Sequence, residues 1–278
     1  MMTPDNPKPI NPNDTDKPFV PAAPELEVPK TYEYKILSEA EEIRLVEQLA
    51  DRRKEPSEKR FAAYLVKGDE EAAKLAREVE VEVFGEFFDN DEGLMRQEYR
   101  KYEESSVFIV IVDHKSKKPA GVMRLISNSE SGLKSLNDLA GSPWNKPIDE
   151  IFIENEISEN DLDTTLDIAT LAVRKDYRSK TEVSVALYHA LRIHTINTET
   201  TEFVTILDDK VLELLASIGC HFNKYKGVQS ASYLDSPSST PVYTSYQQMM
   251  DRWEADNMDT YKYIALGEGL TETVDFVV

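Results

Sequence analysis

The stretch from Leu166 to Asn197 constrains the fold more than any other part of this 278-residue chain. TTLDIATLAV reads as a strand, KDYRSKTE as a loop and VSVALYHALRIHTIN as a helix. That helix carries Val183, Leu187, Ala190 and Leu191 on one face and Val185, Ile193 and Ile196 on another. A helix apolar on more than one face is packed between other elements rather than laid on the surface. A strand feeding such a helix is the start of a layered α/β arrangement.

The neighbouring segments extend the pattern. SVFIVIVD and AGVMRLIS, separated by the polar turn HKSKKP, read as an antiparallel hairpin. EFVTIL reads as a strand, KVLELLASIG as a helix ended by Gly219, CHFNKYKG as a strand-like return and PVYTSYQQM as a last short strand. Upstream, TYEYKILS alternates, so Tyr32, Tyr34 and Ile36 would share a strand face. Ser38 with Glu41 makes a capping box before Ile43, Val46 and Leu49 at helical spacing. Further helices are expected over 57–67 and from Glu70 into VFGEFFDND, with Phe84, Phe87 and Phe88 as core anchors. IDEIFIENEI reads as an extra strand within an insertion over 128–163. The expected class is therefore α/β (α+β), one mixed sheet flanked by helices. One domain over 31–250 follows a proline-rich arm over 1–30, expected to be disordered, and precedes a C-terminal extension over 251–278.

Charge narrows the function. Fifty-two acidic against 32 basic residues give a net charge of −20, which repels phosphate backbones and argues against nucleic acid or an anionic membrane as partner. No apolar run reaches the length of a membrane span and the N-terminus has no signal-like apolar core, so the expected location is the cytoplasm. The single cysteine, Cys220, excludes an intramolecular disulfide and any multi-cysteine metal signature. No metal is assigned. His114 lies in the hairpin turn, His189 and His194 on the buried helix are read as structural, and Cys220 and His221, as neighbours on a strand, would point to opposite faces.

Against that acidic background the loop Arg174, Lys175, Asp176, Tyr177, Arg178, Ser179 and Lys180 holds four cations and one acid directly before a helix N-terminus. Free N–H groups and the helix dipole favour an anion there. The alternative is a solvated turn whose cations balance nearby carboxylates.

These residues resemble a family. Leu171-Ala172-Val173-Arg174-Lys175-Asp176-Tyr177-Arg178, running into a helix with Ala186-Leu187, is similar to the central motif of GNAT-superfamily acyltransferases. The strand, helix, Gly219 and Phe222 downstream agree with that family's closing segment. Within the superfamily, Gly121-Val122-Met123-Arg124-Leu125 and Asp167-Ile168-Ala169-Thr170-Leu171-Ala172-Val173 resemble acyl-homoserine-lactone synthases and long-chain N-acyl amino acid synthases. The chain departs from the family where Ser179, Thr181 and Val183 replace loop glycines, where Asp208 stands near a usual asparagine, and where Leu215 replaces a tyrosine acid. Thr170 also replaces a strand arginine.

The resemblance implies a GNAT-like sheet with a V-shaped splay between two strands. It implies N-acyl transfer from an acyl-CoA or acyl-carrier-protein thioester to a small-molecule amine, with acyl carrier protein as a partner in the second case. The alternative is a GNAT-fold binding module without turnover. The implied roles are Asp167 as catalytic base, Arg124 as substrate binder, and Leu171, Val173, Arg174, Arg178, Ser179 and Lys180 as the site for the thioester co-substrate.

Overall fold

The computed structural model describes residues 32–278, which form one compact unit; the proline-rich arm lies outside the described residues. The described part of TYEYKILS, 32–38, is not a strand. Tyr34 and Leu37 are buried while Ile36 is exposed, a spacing of three rather than two. Helix α1 (Glu39–Ala50) follows, and Ser38 and Glu41 make the capping box the sequence predicts.

The helix expected over 57–67 is instead strand β1 (Phe61–Lys67), buried on both faces. A short continuous apolar run carries no periodicity with which to separate strand from helix. Helices α2 (Ala73–Phe88) and α3 (Glu92–Tyr99) lead through a tight turn to the hairpin β2 (Ser106–Asp113) and β3 (Lys118–Ser127). The insertion holds α4 (Lys134–Ala140) and α5 (Ile148–Asn155). The strand expected at IDEIFIENEI is thus a helix, with Pro147 at its N-cap and Asp149 and Glu150 in its first turn, where acidic charge stabilises a helix. Strand β4 (Thr165–Val173), helix α6 (Thr181–Asn197), strand β5 (Glu202–Asp208) and helix α7 (Asp209–Ser217) follow in the expected order. The strand-like return shrinks to β6 (Asn223–Lys224). Then come β7 (Ala231–Tyr233), β8 (Ser236–Ser245), α8 (Tyr246–Asp256) and β9 (Val274–Val277).

The sheet runs β6-β8-β5-β4-β3-β2-β1-β9, with β7 on β8. β1/β9 and β4/β5 are parallel and the other pairs antiparallel. The final segment therefore belongs to the sheet rather than trailing from it. Alternation divides the core between two faces. Ala63, Ile109, Ile111 and Met123 pack with α6 and α8, while Ala62, Tyr64, Phe108, Val110 and Val122 pack with α1 and α2. Helix α6 is buried on several faces, as its sequence requires, because the segment around Ile264 covers its outer side.

Candidate active site

Parallel pairing between β4 and β5 lasts for three residues, Thr165↔Glu202 to Asp167↔Val204, and then stops. At the fork Thr205 Oγ1 donates to the Ile168 carbonyl at 2.8 Å. On the other edge of β4 the register with β3 slips between Ile168 and Thr170, which makes Ala169 a bulge. A bulge bends a strand and re-aims its side chains, so the two strands diverge at that point. Beyond it, Arg174 N donates to Ala120 O on the β3 side. Backbone groups alternate along a strand, so the N–H groups of Leu171 and Val173 face the unpaired edge.

That open edge leads to the N-terminus of α6, where Lys180 stands at the N-cap with no side-chain capping bond. Val183 N already donates to Lys180 O at 3.0 Å, and the N–H groups before it in the first turn are left to water or a ligand. The helix approaches β3 closely because Gly121 has no side chain: a Cβ there would lie 3.1 Å from Val183 Cγ1 and 3.2 Å from Ala172 O.

The basic loop is largely neutralised from within. Arg174 does not face outward as expected; it is buried and pairs with Glu42, Glu78 and Glu82 at 2.5, 3.0 and 2.8 Å. Burial pushes Glu78 up to about 7, against the pull of Arg174. Arg178 donates Nε to Val173 O at 3.1 Å, forks onto Glu86 at 2.6 and 3.2 Å, and stacks on Phe87. Phe87 is accordingly exposed, not a core anchor. Ser179 is exposed. Lys180, half-buried, has no ion pair among the described residues.

Arg124 is also internal. It is 0% exposed, and all five of its N–H donors are engaged by Glu80, Glu103, Tyr34 and Ser106. Its ring neighbours are Tyr99 and Phe108. A guanidinium with no donor left cannot hold a substrate carboxylate. Thr170 joins the same network by donating to Glu80 at 2.5 Å, which ties the bulged strand to α2.

On the far side of the bulge lies an open cleft. It is lined by Ala169 and Ile206 of the two strands, by the rings of Phe84, Phe88 and Tyr99, and by the polar side chains of Lys134, Ser135, Asp138, Tyr233 and Ser236. Phe84 packs against the core and also lines this cleft, while Phe88 lines the cleft. Lys134 Nζ reaches Asp138 at 2.6 Å, Glu98 at 2.8 Å and the Tyr233 hydroxyl at 3.1 Å. Burial alone would lower the pKa of this lysine, but Tyr233, Asp138 and Glu98 outweigh it and hold the cation.

Asp167 sits behind Ser135. It is 0% exposed and accepts from Ser135 N at 2.6 Å and Ser135 Oγ at 2.8 Å. Burial pushes its carboxyl up to about 7, although both Ser135 bonds pull it down. Asp208 caps α7 through Lys210 N and accepts from Ser236 Oγ. Leu215 is in the core. Cys220 is buried beside Met249, with its thiol pushed up to about 12, which leaves no reactive thiolate. His189 is fixed on the Ile264 carbonyl and His114 on Tyr64.

Asn90, Lys134, Asp138 and Tyr233 did not stand out in the sequence. The i,i+4 pair Lys134–Asp138 was visible in principle. The others come from segments far apart in the chain and share no local signal.

No protein-family profile and no curated protein matches this sequence. Solved structures do. FeeM, an N-acyl amino acid synthase from uncultured soil microbes, is 12% identical, covering 70% of this chain and 95% of its own at a TM-score of 0.50. BjaI, a CoA-dependent acyl-homoserine lactone synthase, with SAM and isopentyl-CoA or with MTA, is 13% identical, covering 78% and 93% at the same TM-score. These likenesses show the fold: a mixed α/β sheet of GNAT type, flanked by helices.

Proposed function

We propose that this chain is an N-acyltransferase that moves an acyl group from a CoA or acyl-carrier-protein thioester to the amine of a small molecule. The observation that carries the reading is the fork itself. An unpaired β4 edge runs to the α6 N-terminus on one side, and a cleft backed by a buried carboxylate lies on the other. An extended pantetheine arm can bond to Leu171 and Val173 as an added strand, with the phosphate end near Lys180 and Ser179. The N-acyl amino acid synthase and the CoA-dependent lactone synthase named above share this fold and support the same chemistry here. Such thioesters belong to the cell interior, so we place the protein in the cytoplasm.

The chemistry asks for a neutral amine and a route for its proton. The amine nitrogen attacks the thioester carbon, the C–S bond breaks, and the thiolate leaves. Ser135 Oγ, at the cleft surface, accepts the amine proton as it passes its own to Asp167. A carboxylate poised near neutrality suits that task better than one with an ordinary pKa. Leu215 offers no acid for the leaving thiolate, so that thiolate takes its proton from water.

A second reading, a binding module without turnover, draws on the same buried Leu215 and on the Arg178 fork spent on Glu86. Two measurements separate them. Thermal shift with CoA, acyl-CoAs of several lengths and an acylated carrier protein tests donor binding; absence of any shift removes the acyltransferase reading. Free-thiol release on adding amines then distinguishes an enzyme from a binder.

A further inference from the structure

The cleft beyond the bulge presents acceptors and very few free donors. Its one lining cation, Lys134, is 3% exposed and has three N–H donors already given to Asp138, Glu98 and Tyr233. The Ser239 hydroxyl donates to Ser236, and Ser236 donates to Asp208. The backbone and hydroxyl of Ser135 both donate to Asp167. Tyr99, whose hydroxyl can serve either way, is the exception.

The acceptors are less fully used. Lys134 and Tyr233 both bond to Asp138 Oδ2, which leaves Oδ1 without a hydrogen bond among the described residues. Asn90 lines the same cleft at 1% exposure, and its Oδ1 has no hydrogen-bond partner among the described residues. The amide orientation follows from its other contact, since Nδ2 donates to the Leu234 carbonyl, which can only accept. A buried acceptor without a donor is costly unless a ligand supplies one.

We infer that the acceptor substrate is an amine whose ionised groups are all cationic, rather than an α-amino acid or another amine that carries a carboxylate or phosphate. This rests on the acyl-transfer reading above and sharpens its substrate. An ammonium brings three donors and no acceptor, which matches Asn90 Oδ1 and Asp138 Oδ1. The face of Phe84 can add cation–π attraction, and the chain's charge of −20 draws cations in. A carboxylate in the same place would meet Asp138 and Asp208 with no free cation to hold it, because Arg124 is sealed in its own network.

Matched pairs that differ only by the α-carboxylate test this: cadaverine and lysine, agmatine and arginine, tyramine and tyrosine. Each is tested by thermal shift on the full chain, with and without octanoyl-CoA, and by thiol release. The amine of at least one pair should raise the Tm and exceed its parent acid by about 100-fold or more in affinity or kcat/KM. A parent acid that matches or exceeds its amine, or a Tm unmoved by every amine, overturns the inference. Amine binding without thiol release sinks the acyltransferase reading but leaves this ligand class standing. Thiol release with amino acids alone does the reverse. Asn90→Leu should weaken amine binding about tenfold with the octanoyl-CoA shift unchanged. Asn90→Asp, which keeps the acceptor, should bind at least as well as the parent protein, and weakening by this variant as well would contradict the role of Oδ1.

Discussion

On the α6 side of the fork the sequence crowds four cations into seven residues, and the structure spends most of them on glutamates of α1 and α2. On the cleft side the residues look ordinary in sequence, yet Asn90 and Asp138 keep acceptors in reserve and Asp167 sits buried behind Ser135. Conspicuous charge therefore marks where the fold is held together, and unspent hydrogen-bonding capacity marks where a ligand fits. An ion pair satisfied inside the protein has little left to offer a substrate, whereas a buried unpaired acceptor does.

The contrast can be tested most forcefully at Arg124. If it is an internal strut, Arg124→Ala strands Glu80 and Glu103 in the core and costs about 3–5 kcal/mol, as breaking a buried pair does. Urea denaturation reads that directly; a variant of native stability with weakened substrate binding would instead make Arg124 part of the site. Gly121→Val comes next. The added side chain crowds Val183 and the Ala172 carbonyl, and overpacking of this kind costs about 1–3 kcal/mol. The thioester thermal shift should shrink as the α6 N-terminus moves away.

Asp167 gives a pH signature. Its folded-state pKa of about 7 lies above the ordinary 3.8, so the folded protein holds this proton more tightly than the unfolded chain. Its contribution to stability is full below about 3.8 and is lost as pH rises through about 7. In Asp167→Asn that part of the pH dependence disappears, visible as a flatter plot of unfolding free energy across the window. If Asp167 is the base, thiol release in the parent protein also climbs as pH rises through about 7, and the variant loses that climb. The smallest effect belongs to Arg178→Ala. Its partly exposed pair with Glu86 is worth about 0–1 kcal/mol, so guanidinium denaturation should hardly register it. A large loss of thioester affinity with stability intact would show that this arginine leaves Glu86 to hold a phosphate.

Much of the fold is legible locally. The hairpin β2–β3, strand β4, helix α6, strand β5 and helix α7 appear where periodicity puts them, because each has an alternating or helical pattern long enough to read. β1 is misread as helix because its apolar run has no period, and α5 as strand because Ile148, Ile151 and Ile153 are β-branched while Pro147, Asp149 and Glu150 supply the stronger helix-start signal. Within the site, the open edge at Leu171 and Val173 is reached only through the family resemblance. The fates of Arg124, Arg174 and Arg178 are not legible at all.

By itself, then, the sequence determined the hairpin β2–β3 and the run from β4 to α7, since each rests on a pattern between near neighbours and on the face each residue shows; the fork entered only through the family resemblance. Tertiary structure alone decided which charges stay free. Arg178 meets Glu86 across 92 positions of chain, Arg124 meets Glu80 across 44, and Lys134 meets Tyr233 across 99. A cation has no means of announcing in sequence which distant carboxylate will neutralise it, and the cleft exists only once those pairings are made.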